Sequence, residues 1–199
     1  MNSEIGPRIS TDRIELRLLT PHAAPQLLRI AGDPALTRYL QWPPHTSVDD
    51  SLEFISDARR LWETETAFLP GIFDRERDQL VGSIALSSID PVNRRAEVGT
   101  WIGVPYQRTG LNEHAKAAVF AYAFRDLGLT RLEFLVRSDN DSSLRSLRAM
   151  PGITHEGTLR ARLRTHDTAH DAELFSLLAR DWNAADWPSV TIAHAPSWR

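Results

Sequence analysis

The sequence predicts a mixed α/β fold in one domain. Three observations lead there. The chain has 199 residues, enough for one sizeable core. Stretches that alternate apolar and polar residues stand between stretches with helical periodicity. Their order, βα, α, ββ, β, α, β, α, ββ, fits neither strict βαβα alternation nor an all-β architecture.

The first strand is "RIELRLLT", with Ile14, Leu16 and Leu18 on one face. Thr20 and Pro21 read as the N-cap and first residue of a helix running to Ala31. "GDPALTRYLQWPPHTS" reads as a loop or broken helix, because Pro43 and Pro44 forbid a regular continuation. Ser47 caps the next helix, with Asp49 and Asp50 in its first turn and Val48, Leu52, Ile55 and Trp62 at helical spacing. "AFLPGIFDRERDQLVGSIALSSI" reads as two strands around a polar turn. "AEVGTWIG" is a third, with Glu97, Gly99, Trp101 and Gly103 on one face. The following helix buries Leu111, Ala115, Ala118, Val119 and Tyr122, and Gly128 stops it. "TRLEFLVR" is a strand and "NDSSLRSLRAM" a short capped helix ended by Pro151. "EGTLRARLRT" and "AELFSLLARDW" are two strands joined by "HDTAHD". The domain spans residues 8–187, and residues 188–199 read as a tail.

Composition narrows the function classes. A net charge of −3 lacks the basic excess of a general nucleic-acid binder. With no cysteine, disulfides, thiolate metal sites and a cysteine nucleophile are excluded. "MNSEIGPRIS" has no apolar core of a signal peptide, and no run of about 18 apolar residues suits a membrane span. The expected location is the cytoplasm, with no membrane and no nucleic-acid partner; homodimerisation stays open. His166 and His170 have metal-ligand spacing but sit at a hairpin tip without a third ligand, so no metal is expected. There is no P-loop and no nucleophile elbow.

The informative stretch is "GVPYQRTGLNEHAKAAV". A strand ends in a basic, glycine-containing turn that opens directly onto a helix. The first N–H groups of a helix have no intrahelical partner and carry the positive end of its dipole, so an anion suits that place. An ordinary left-handed glycine turn is the alternative.

"YQRTGLN" resembles the pyrophosphate turn of the GNAT acetyltransferase superfamily. "VGSI" with "AEVGTWIG", "NDSSLRSL", "HEGTLR" and "DAELFSLLARDW" stand in the order of its RimJ/RimL-type branch. The chain departs from that branch in reading Arg148, Ala149, Met150, Pro151, Gly152, Ile153 where E-K-x-G-F is common. Leu163 falls where some members carry an acid. The resemblance implies a central, mostly antiparallel sheet flanked by helices, with a splayed strand pair that binds acetyl-coenzyme A. The activity it implies is transfer of an acetyl group to a primary amine by direct attack in a ternary complex. The alternative is a non-catalytic acyl-coenzyme A sensor or scaffold of the same fold.

Residue by residue, the resemblance implies that Arg108, Thr109, Gly110, Leu111 and Asn112 hold the pyrophosphate. Ile102 and Val104 would offer backbone groups to the pantetheine, with Asn140 bonding coenzyme amides or else ending its strand with an Asx-turn. Ser143 would donate to the leaving thiolate, or else cap its helix, a role that Asp141 or Ser142 could also fill. Glu97 is the candidate base; its other reading is an ion pair with Arg94, Arg95 or Arg131. His114 and His155 are weaker candidates. Arg38, Tyr39 and Trp42, with His45, lie in the loop expected to cover the acceptor, with structural packing the alternative for Trp42. Arg160, Arg162 and Arg164 share a strand face. They could attract an acidic acceptor or the coenzyme's 3′-phosphate, or form a solvated face paired with Asp171 and Glu173, or protect an exposed edge with charge. At pH 7.5 roughly one in three α-amines is neutral, against about one in a thousand lysine amines, so a weak base favours an α-amine.

Overall fold

A computed structural model describes residues 6–165 and 167–193; His166 of the histidine pair lies outside the described residues. The strands are β1 (Arg8–Ser10), β2 (Ile14–Arg17), β3 (Gly71–Asp74), β4 (Gln79–Asp90), β5 (Arg95–Ile102), β6 (Arg131–Arg137), β7 (Thr154–Thr165), β8 (Thr168–Leu178) and β9 (Thr191–Ala193). They form one sheet in the order β7-β8-β6-β5-β4-β3-β2-β1-β9. Every neighbouring pair is antiparallel except β5 and β6. The helices are α1 (Ala24–Ala31), α2 (Pro34–Thr37), α3 (Val48–Glu63), α4 (Leu111–Ala121) and α5 (Asp141–Arg148). The mixed α/β, mostly antiparallel single domain expected from the sequence is the fold found.

The two faces of β5 separate the layers. Ala96, Val98 and Ile102 enter the main core with α4 and α5, where Phe120 meets Phe134 and Trp187 edge-on. Trp101, on the opposite face, borders a second core built by Leu27 and Ile30 of α1 and Ile55 of α3. α3 starts at the expected cap: Ser47 Oγ accepts from Asp50 N, and Asp50 accepts from Ser47 N. No helix among the described residues is long and apolar enough to cross a membrane.

Three local expectations are corrected. Thr20 makes no side-chain cap, and Pro21–Ala23 form a 3₁₀ turn ahead of α1. α4 ends at Ala121 and widens into a π-helical segment, Tyr122–Asp126, before Gly128 (φ 64°) turns the chain. Residues 191–193, within the stretch read as a tail, form β9 against β1, with Ile192 packed on the main core. Three residues are too few to show alternation, so this edge strand has little sequence signature.

Candidate active site

The sheet forks at its centre. β5 and β6 pair at Arg95 with Arg131, Ala96 with Leu132 and Glu97 with Glu133, and there the pairing stops. β5 nevertheless stays paired with β4 to Ile102, and β6 with β8 to Arg137. Phe68 and Leu86 exchange backbone hydrogen bonds, so Leu86 points away from β5. By strand alternation, Ala85 and Ser83 bond their partners Gly99 and Trp101. The backbone groups of Val98, Thr100 and Ile102 therefore face β6; the Val98 N–H serves the last bridge, at Glu133, and beyond it Thr100 and Ile102 face the gap. Ile102 O accepts from the Gln107 side chain at 3.0 Å. Thr100 Oγ1 is buried without a hydrogen-bond partner, an anomaly for a buried polar atom.

The turn between β5 and α4 lies at the end of this gap. Arg108 (φ 62°) and Gly110 (φ 87°) are both left-handed, and Gly110 occupies the N-cap of α4. The N–H groups of residues 108–112 donate to no acceptor among the described residues. Thr109 is braced at both oxygens: its Oγ1 donates to Tyr106 O at 2.6 Å, and its carbonyl accepts from Arg13 at 2.8 Å. Asn112 Oδ1 is buried without a partner. A Cβ on Gly110 would come to 3.0 Å from Arg13 Nη1 as well as straining the left-handed backbone. Successive free amides of this kind make an anion cradle. Leu111 contributes an N–H while its side chain is buried. Val104, next to the turn, uses its carbonyl to accept from Gln107 N.

α5 begins opposite. Its cap is Asn140, whose Oδ1 accepts from Ser143 N at 3.3 Å, and neither Ser143, Asp141 nor Ser142 takes that role. The half-buried Ser143 hydroxyl is left without a hydrogen-bond partner among the described residues.

On the α1/α3 face of the fork, Glu97 stands beside an open floor. Gly99 is exposed although β5 is a central strand, and a Cβ there would meet nothing within 4 Å. The ion pairs expected for Glu97 do not form. Arg95 and Arg131 are both committed to Glu133, at 3.1 and 2.7 Å, and Arg131 also clamps Glu156. Arg94 donates to Gly128 O instead. The cation nearest Glu97 is Arg162, with Nη2 at 4.0 Å from Oε1. Arg162 reaches it from β7, two strands beyond β6.

A bulge makes that reach. Leu159 pairs with Ala172 and Leu163 with His170, so β7 carries two residues more than β8 between those pairs. Ala161 takes φ 52°, and its N–H donates to Asp171 Oδ1 at 2.8 Å. The regular face expected for Arg160, Arg162 and Arg164 is therefore broken. Glu173 goes to Ser138, His155 and Thr158 rather than to these arginines.

The 38–45 loop joins both arms of the fork. Trp42 meets Trp101 edge-on at 5.9 Å, and Arg137 at the end of β6 donates to Arg38 O and lies 5.2 Å over the Tyr39 ring. Arg38 lies over the same ring, at 5.3 Å from its centroid. Trp42 also packs on His45, whose Nδ1 is 2.9 Å from Ser51 Oγ and whose burial lowers its pKa. His155 is bound to Glu173 at 2.7 Å and His114 to Thr11 at 3.0 Å, so neither imidazole is placed with Glu97. Burial lowers the pKa of His114. No group of three metal-ligating side chains occurs among the described residues. The open space over Gly99, the roles of Thr100 and Arg13 and the singular role of Arg162 were not legible in sequence; a glycine inside a strand pattern is the one signal of a close approach.

A family model described as the acetyltransferase (GNAT) domain matches residues 13–150. The chain belongs to that family. YdaF of Bacillus subtilis (strain 168), provisionally named a ribosomal N-acetyltransferase, is 32% identical over 179 residues, covering 86% of this chain and 94% of YdaF. A Vibrio cholerae structure, provisionally named a ribosomal-protein-serine acetyltransferase, is 30% identical and covers 86% of this chain and 97% of its own, with a TM-score of 0.77. RimL, a ribosomal-protein alpha-N acetyltransferase solved with coenzyme A, shares the fold: TM-score 0.75 at 22% identity, over 84% of this chain and 95% of its own. This GNAT chain is thus an acetyltransferase of the RimJ/RimL-type branch.

Proposed function

We propose that the protein transfers an acetyl group from acetyl-coenzyme A to a primary amine, with an α-amine favoured. The observation that carries this is the fork: two strands part after three paired residues and leave the N–H groups of Thr100 and Ile102 without a strand partner, next to a turn of free amides. RimL, whose fold this chain shares, was solved with coenzyme A. When bound, acetyl-coenzyme A supplies an acetyl thioester. The N–H groups of residues 108–112 hold its pyrophosphate, with Gly110 allowing close approach. Backbone amides of β5 pair with the pantetheine, and one of them polarises the thioester carbonyl. Asn112 Oδ1 and Thr100 Oγ1, otherwise orphaned, gain partners in the same gap. Asn140 holds the start of α5, and Ser143, freed from capping, donates to the departing thiolate. Glu97 takes a proton from the amine, directly or through a water, and Arg38, Tyr39 and Trp42 border the acceptor.

The test is calorimetric titration of coenzyme A together with thiol release from acetyl-coenzyme A over a panel of amines. The wild type is expected to bind saturably and turn over α-amines. A folded Gly110→Val variant is expected to lose at least about tenfold in coenzyme affinity, since the turn amides carry much of the phosphate attraction. Unchanged affinity in that variant would remove the phosphate assignment. Saturable binding without turnover on any amine would make the protein a sensor.

A further inference from the structure

Glu97 and Arg162 face each other at 4.0 Å over the open floor at Gly99. That separation lies at the limit of an ion pair, with the two side chains 31% and 50% exposed, so the contact is loose and exchangeable. Neither group has another ion-pair partner among the described residues. The competing cations Arg95 and Arg131 are tied to Glu133, and Arg137 is tied to Asp139 at 2.7 Å. Arg162 does not arrive there by ordinary strand geometry. It follows Ala161, a non-glycine residue held left-handed, in a bulge fastened by Asp171. Bulges near active sites re-aim single side chains, and backbone strain is kept where the aim matters.

Resting on the acetyl-transfer reading above, we propose that this pair recognises a zwitterion: the acceptor is an amine that bears a carboxylate within a few bonds. The acceptor inserts between the two side chains and each exchanges its partner. Its ammonium goes to Glu97, which then takes the proton, and its carboxylate goes to the Arg162 guanidinium, whose planar fork matches a carboxylate. A neutral-tailed amine gains only the first contact and leaves Arg162 without an anion. Two sources share this chemistry: the α-carboxylate of a free amino acid, and an acidic side chain at the N-terminus of a peptide.

Four acceptors separate them: alanine against alanine amide, and Glu-Ala amide against Gln-Ala amide. Each is measured for kcat/KM by thiol release and for binding by calorimetry with coenzyme A present. The expected result is a preference of about tenfold or more for the carboxylate member of one pair, which also names the source. Arg162→Gln is expected to bring that ratio to about one, and Arg162→Lys to keep part of it. Equal values within both pairs for the wild type, or a preference that survives Arg162→Gln, overturns the proposal. A protein that turns over every amine without preference refutes the zwitterion while leaving acetyl transfer intact. Carboxylate-selective binding without any turnover refutes acetyl transfer and keeps the recognition.

Discussion

Gly99 is the residue on which the proposed acceptor site turns. A glycine inside a central strand weakens it, and its side-chain space is normally taken by a neighbour. Here that space is empty, walled by Glu97 on one side and by Trp101 with Trp42 on the other. Its φ is outside the left-handed range, so a β-branched side chain is compatible with the strand. Gly99→Val is therefore expected to fold with unchanged or slightly higher stability. It fills the floor on the α1/α3 face, whereas the amides proposed to bind coenzyme lie in the plane of the sheet. Acceptor KM is expected to rise about tenfold or more, with coenzyme A affinity within about twofold of wild type. Steady-state kinetics and calorimetry check this; an unchanged KM would place the acceptor elsewhere. Sequence alternation put Glu97, Gly99 and Trp101 on one face correctly, because period two is local. It could not tell that Glu97 would lose Arg95 and Arg131 to Glu133, since that competition depends on register between strands far apart in the chain.

Among the elements, α4 carries a cost on the side away from its chemistry. Lys116 is 5% exposed, and its Nζ finds only the Met150 thioether, 3.5 Å away and a weak acceptor. Burial pulls its pKa from 10.5 down to about 8. Below pH 8 the amine is charged in both folded and unfolded chains, and the folded state bears the desolvation. Between pH 8 and 10.5 the unfolded chain holds a proton that the folded chain does not, so stability rises with pH across that window. At about 1.4 kcal/mol per pH unit the whole effect is on the order of 3 kcal/mol. Lys116→Met is thus expected to stabilise the protein by ~1–3 kcal/mol at pH 7, the gain fading towards pH 10.5. Urea unfolding at the two pH values measures it, and a loss at pH 7 would show that the ammonium has a stronger partner. The long elements were legible because their periodicity spans several turns or pairs. α5 was legible as a helix but its cap was not: Asn140, Asp141, Ser142 and Ser143 are all competent caps, and only the path of the chain out of β6 selects Asn140.

At the scale of the molecule, the fork divides the sheet into two arms that share three bridge pairs at β5 and β6. An ion network fastens the closed end: Arg95 and Arg131 meet at Glu133, and Arg131 holds Glu156, whose pKa falls to about 2 chiefly through that contact. At the open end the 38–45 loop crosses from Trp101 to Arg137. A coenzyme seated in the gap joins the arms, so its binding is read as order in one strand. Amides of Thr100 and Ile102 face the gap and should exchange slowly only when coenzyme A is present. Those of Gly99 and Trp101 already bond β4 and should change little. Amides of residues 108–112 should slow with the first set. At a ligand concentration a hundred times Kd, linkage gives about 2.7 kcal/mol. For a domain of this size that is a rise of roughly 5–10 °C in Tm. Protection spread evenly over odd and even residues of β5, or a Tm rise without it, would mean that coenzyme A binds outside the fork.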